Sequence, residues 1–138
     1  MFKNYTICEQ KIHIEAPDFP GDCSDWRLFE TSFEEADVSV NCHVDEGLPD
    51  VNGGFVADSG EFSVYRQENM ISWKRGMGTA DGAMACFDYL KGDNCHVYFT
   101  DRSFSVLGDE RYFWSTIPLA QLLLPKKAVL MHASYIKC

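Results

Sequence analysis

Apolar side chains recur at every second position through long stretches of this chain, and breaks rich in Gly, Asn and Asp separate the stretches. Period-two alternation is the mark of a strand with one buried face. It is cleanest over residues 37–44, where Val38, Val40, Cys42 and Val44 share one side and Ser39, Asn41 and His43 the other. Tyr5 and Ile7, then Ile12 and Ile14, flank the polar run Glu9-Gln10-Lys11, which reads as a hairpin or one bent strand. Residues 55–77 read as an antiparallel meander with turns at Asp58-Ser59-Gly60 and Gln67-Glu68-Asn69. Residues 83–90 and 95–100 form two more strands, and Gly92-Asp93-Asn94 between them is the strongest short hairpin signal in the chain. Residues 17–25 and 45–54, rich in Pro, Gly and acids, are loops.

The pattern changes after Gly108. Phe113, Ile117, Ala120 and Leu124 fall on one helical face, Asp109 can cap the helix and Glu110 suits its first turn. Pro118 conflicts with a continuous helix, which leaves a later start at Ser115 or Thr116 open, and Pro125 ends it either way. The apolar run over 128–136 reads as a strand. The expected fold class is therefore α+β. An antiparallel β-rich body occupies 1–107, followed by one helix within about 110–124 and a C-terminal strand near 128–136.

A length of 138 residues with 46% hydrophobic content is enough for one domain with a real core. A formal net charge of -9 argues against nucleic acid and against anionic membrane surfaces, because Lys126-Lys127 and Lys74-Arg75 are isolated basic pairs. No run approaches the ~18 apolar residues of a membrane span, and the N-terminal residues do not resemble a signal peptide, so a cytoplasmic protein is expected. Six cysteines without any C-x-x-C pair are expected to be reduced thiols.

Cys42, His43, Cys95 and His96 are metal-binding residue types, but strand neighbours point to opposite faces, so no metal site is expected from them. The cysteines belong in the core and the histidines outside it. Asn-Cys-His-Val occurs at 41–44 and again at 94–97, too short a match to define a repeat. His132 and Ser134 share one face of the final strand, with no third group to orient them. The adjacent acids Glu34-Glu35, Asp45-Glu46 and Asp109-Glu110 read as solvated surface in so acidic a chain. The glycines at 76, 78 and 82 lack the Lys-Ser/Thr ending of a phosphate loop.

The segment Leu124-Pro125-Lys126-Lys127-Ala128-Val129-Leu130-Met131-His132-Ala133-Ser134-Tyr135-Ile136 resembles the lead-in strand of the HPr kinase-like family of P-loop proteins. There the strand reads close to leucine–histidine–alanine–serine. Met131 stands in place of the leucine, a volume-conserving change, and Tyr135-Ile136 stands where alanine–valine is common. The resemblance covers roughly residues 117–136. It implies that residues 108–138 begin a kinase-like core whose phosphate loop lies beyond Cys138. The complete protein would then bind ATP with magnesium and transfer a phosphoryl group, while this chain alone would hold no cofactor and catalyse nothing. Met131, His132, Ala133 and Ser134 would be structural residues near the nucleotide site, none of them catalytic. The expected partner is the missing C-terminal core, and the exposed final strand would favour self-association. The alternative is a complete, non-enzymatic β-rich binding or interaction module. A third reading is a small hydrolase using Ser134 or a cysteine with a histidine.

Overall fold

A computed structural model describes residues 1–18, 26–76, 82–107 and 113–128. Among the described residues eight strands form one mixed sheet: β1 (Phe2–Ile7), β2 (Gln10–Glu15), β3 (Val38–Asp45), β4 (Gly54–Asp58), β5 (Phe62–Gln67), β6 (Met70–Arg75), β7 (Ala83–Asp88) and β8 (Asn94–Thr100). Their spatial order is β1-β2-β3-β8-β7-β6-β5-β4. The protein is β-rich, as the alternation requires.

The expectation of a wholly antiparallel body is corrected at two places. β3 runs parallel to β2 on one side and to β8 on the other. Parallel pairing needs a long crossover, and residues 16–37 between β2 and β3 are long enough to supply it. The 46–53 loop then carries the chain from β3 inside the sheet to β4 at the edge. The meander β4 to β8 walks back until β8 meets β3.

Local chemistry fixes the hairpins. Ile7 pairs with Gln10, so Cys8 and Glu9 form a two-residue turn, and both have positive φ. That is the twist a tight hairpin needs, achieved without glycine. In the β7–β8 connection Gly92 has φ 60°, and its N–H donates to the Asp88 carbonyl at 2.9 Å. The edge of β1 is partly covered, since Glu30 bridges Tyr5 and the Thr31 N–H donates to the Asn4 carbonyl.

Residues 101–107, which the alternation left inside the β-rich body, form helix α1 (Asp101–Leu107). Thr100 and Ser103 start it reciprocally. The Thr100 N–H donates to Ser103 Oγ at 2.8 Å and the Ser103 N–H to Thr100 Oγ1 at 3.1 Å, the logic of a capping box. The single helix expected over 110–124 is replaced, among the described residues, by three pieces. They are a 3-10 turn (Trp114–Thr116), helix α2 (Leu119–Leu123) and a second 3-10 turn (Leu124–Lys126). Pro118 is the cause: Ile117 before it is extended at φ -95° and ψ 121°, as residues preceding proline prefer. The break resets the helical phase. Phe113 and Ile117 are buried as expected, but Leu119, Leu122 and Leu123 take over the buried stripe while Ala120 and Leu124 face solvent. The strand expected near 128–136 lies, beyond Ala128, outside the described residues.

The core forms between one sheet face and these helical pieces. Tyr5, Ile12, Ile14, Val38, Val40, Cys95, Val97, Phe99 and Phe87 from the strands meet Phe113, Leu122 and Leu123. Each large side chain buried this way contributes about 1.5–3 kcal/mol. Among the described residues no helix is long and apolar enough to cross a membrane.

Candidate functional site

Among the described residues the helical layer stops short of the sheet's far end. A cavity of about 550 Å³ remains there, over the core-side face of β4 to β7. Strand register builds its floor. Val64 pairs with Trp73 and Arg66 with Ile71, so Val64, Arg66, Ile71 and Trp73 share one face. Phe87 pairs with Ile71 and extends that face on β7. Val56 and Ala57 from β4 form one wall, and Gln121 of α2 with Leu124 forms the other. β4 reaches over because its register slips between Phe55 and Ala57, a bulge that adds twist at the sheet edge.

The cavity is apolar inside with a few polar groups at its rim, the composition of a small-molecule site. Its size also lies within the range of about 300–1,000 Å³ typical of such sites. Phe62 packs edge-on against Trp73 with ring centroids 4.7 Å apart. Arg66 lies over the Tyr89 ring at 4.9 Å, and its Nε donates to the Glu68 carbonyl at 2.7 Å. Among the described residues Arg66 has no carboxylate partner, so its remaining guanidinium donors are uncommitted. Asp58, also at the rim, is occupied. It accepts from the Gly60 N–H at 2.6 Å and the Ser63 hydroxyl at 2.8 Å, and these bonds hold its carboxyl below the usual range. In the floor, the Trp73 indole N–H is buried and meets no acceptor among the described residues. A buried donor left unpaired costs about 1–3 kcal/mol, a defect that a purely structural core avoids.

The opposite face of the sheet carries polar and aromatic groups. Cys42 and Cys95 point into the core, as expected from the alternation, while His43 and His96 are half-buried on the open face. Burial pushes the Cys42 thiol up to about 12. Burial raises Cys95 well above the ordinary thiol range, with Cys42 and Cys86 adding to it. The parallel pairing sets Asn41 opposite His96 and His43 opposite Tyr98. The two Asn-Cys-His-Val segments thus lie on adjacent strands, two residues out of step. A chain of hydrogen bonds joins them: Asn41 Nδ2 donates to Asn94 Oδ1 at 3.1 Å, Asn94 Nδ2 reaches His96 Nε2 at 3.4 Å, and His96 Nδ1 lies 3.0 Å from His43 Nε2. With His96 Nε2 accepting, its Nδ1 carries the proton and donates to His43. Burial, and then the neighbouring His43, lower the His96 pKa below the ordinary imidazole value. Among the described residues no three His, Cys, Asp or Glu side chains converge as metal ligands.

Met131, His132, Ala133 and Ser134, the residues of the family resemblance, lie outside the described residues. Of the adjacent acid pairs, Glu34-Glu35 and Asp45-Glu46 are exposed, and 109–110 lie outside the described residues. The cavity residues were not singled out by sequence reasoning. Their signal was present as the alternation Phe62, Val64 and Ile71, Trp73, but alternation does not say which part of a face the helices leave bare. In comparisons with known proteins, no family model, curated protein or solved structure matches the chain.

Proposed function

We propose that this domain is a non-enzymatic binding module that takes a small, largely apolar molecule bearing an acidic group. The observation that supports it is the cavity over β4 to β7, apolar within and rimmed by Arg66, whose guanidinium has no carboxylate partner among the described residues. Phe62, Val64, Ile71, Trp73 and Phe87 would enclose the apolar body. Arg66 would pair with the acid, for which its planar fork is suited. Asp58 opposes a second anion nearby, which restricts the ligand to one acidic end.

Titration with naphthoate and with octanoate, followed by Trp fluorescence and by amide chemical shifts, tests this. Saturable one-to-one binding is expected, with shifts centred on β5, β6 and α2. Arg66→Gln should weaken it by about tenfold, the worth of a charge-assisted hydrogen bond of about 1.5–3 kcal/mol reduced by exposure. Val64→Trp, which fills the cavity, should abolish it. Absence of saturation with either acid, or binding untouched by Val64→Trp, refutes the reading.

The resemblance at Met131–Ser134 supports a second reading, in which residues 108–138 open a kinase-like core and the complete protein is an ATP-dependent phosphotransferase. It expects ATP with magnesium to leave this chain unchanged. It also expects a phosphate loop in the reading frame shortly after Cys138, and a frame without one refutes it.

A further inference from the structure

We propose that His43 and His96 form a two-imidazole chelate for a divalent transition-metal ion of the nickel, copper or zinc class, on the open face of the sheet. The pairing of β3 with β8 places His43 diagonally beside His96, and their facing nitrogens, Nε2 and Nδ1, are 3.0 Å apart. Two nitrogens bound to one such ion at about 2.0–2.1 Å, at a right or tetrahedral angle, stand about 2.9–3.4 Å apart. The pair is therefore already spaced as a chelate. The two rings are 26° from coplanar, and Tyr98 stacks on His43 at 4.9 Å, which limits the swing of that ring.

Binding needs one proton to move within the site and none to leave it when both imidazoles are neutral. The proton on His96 Nδ1 shifts to Nε2, freeing Nδ1 for the ion, and the ion releases two of its waters. The Asn94 amide, now 3.4 Å from His96 Nε2, turns over so that its oxygen accepts the new N–H, and the Asn41 amide, now donating to Asn94 Oδ1, turns with it so that its own oxygen accepts from Asn94 Nδ2. A metal-bound imidazole is usually held by an acceptor on its far nitrogen in this way. Among the described residues no third His, Cys, Asp or Glu completes the set, so the remaining coordination positions belong to water or to an added ligand. The face also carries Asp45, Tyr98 and Cys86. Among the described residues neither Asp45 nor Tyr98 hydrogen-bonds the two nitrogens, which meet each other, and the Cys86 thiol lies 3.7 Å from Ser72 Oγ. This site lies on the face opposite the apolar cavity and stands or falls apart from it.

The test is titration of the full chain with nickel(II) chloride at about pH 7.5, above the imidazole pKa of about 6.5, read by calorimetry and by paramagnetic broadening in the NMR spectrum. One ion per chain is expected, with broadening centred on His43, His96 and Tyr98. Affinity should fall at least about tenfold in His43→Gln and in His96→Gln, since each removes one of two ligands. His13→Gln serves as the control, because His13 bonds Asn4 on a different part of the sheet, and should leave affinity unchanged. If a variant unfolds, the broadening map of the unmodified chain still decides. Broadening centred elsewhere, such as on exposed Cys8, or parental affinity retained in both histidine variants, or no saturation, overturns the proposal.

Discussion

Replacing Gly92 with alanine should destabilise the protein by about 2–4 kcal/mol, through two separable causes. Gly92 sits at φ 60° in the β7–β8 turn, where an L side chain costs roughly 1–2 kcal/mol. Alanine recovers about 0.4–1 kcal/mol of that by restricting the unfolded chain. The second cause is contact. A Cβ at position 92 would collide with the Leu122 carbonyl oxygen and would lie 3.1 Å from its carbon and 3.2 Å from Pro125 Cγ. Two of those atoms are backbone, so the turn or α2 must shift by about 1 Å, with a cost in the overpacking range of about 1–3 kcal/mol. Gly60→Ala is the matched control. Gly60 has φ 87°, but nothing lies within 4 Å of the place its Cβ would take, so only the backbone part applies, about 1 kcal/mol. Urea unfolding of both variants, checked for an unchanged slope, gives the difference directly. Amide shifts at 121–124 should move in the first variant and hold still in the second. Equal losses from the two substitutions would refute the contact with α2.

Glu9→Gly should stabilise the β1–β2 hairpin by about 0.5–1 kcal/mol, since Glu9 holds φ 64° without glycine's freedom; a lower urea midpoint contradicts this. Alkylation mapped by mass spectrometry should label exposed Cys8 in the folded protein and reach Cys42 and Cys95 only on unfolding, because burial holds both thiols protonated; early labelling of Cys95 speaks against the core assignment. For His96 the folded pKa is depressed by burial and by His43. Its contribution is therefore complete above the unfolded value of about 6.5 and is lost as pH falls through the lower folded value. The groups facing it are His43, Asp45, Tyr98 and Cys86, and His96→Gln should flatten the fall in stability on the acid side of that window. An unchanged acid-side slope shows that His96 does not carry it.

β1, β2, β3 and β8 were legible because each obeys a two-residue period over a buried face. That period alone assigns Val38, Val40 and Cys42 to the core, and they lie there. Strand direction was not legible. Nothing in residues 16–37 says whether the chain turns back or crosses over, so the parallel neighbours of β3 were missed. That miss also hid the meeting of His43 with His96, since two distant four-residue matches acquire meaning only when their strands are paired. The helical stripe failed for a local reason. Phe113 and Ile117 precede Pro118, Leu122 and Leu123 follow it, and the proline severs the two groups so that no single phase fits both. Residues 101–107 were hidden because Thr100 ends a strand and caps a helix with the same side chain.

The cavity follows from the width of the sheet. Eight strands at about 4.8 Å spacing span roughly 34 Å. A helix with its side chains covers only about 10–12 Å, and one of five residues is about 7.5 Å long. Among the described residues α1, α2 and their flanking turns cannot shade the whole face, and β4 to β6 are left beyond them. A bare face is normally polar in an antiparallel sheet. Here it carries Ala57, Phe62, Val64, Ile71 and Trp73, so the sequence keeps apolar groups where the described residues leave them uncovered. Such residues lose stability unless something fills the space, and their retention is the cost expected of a binding site. Val64→Trp separates the two accounts. Filling a cavity adds burial worth about 25 cal/mol for each Å² of apolar surface removed from water, so this variant should melt higher than the parent while losing the naphthoate site. A variant that melts higher and still binds would show that the ligand lies elsewhere. One that melts lower would show that the floor is closely packed and that the space is not available to a ligand.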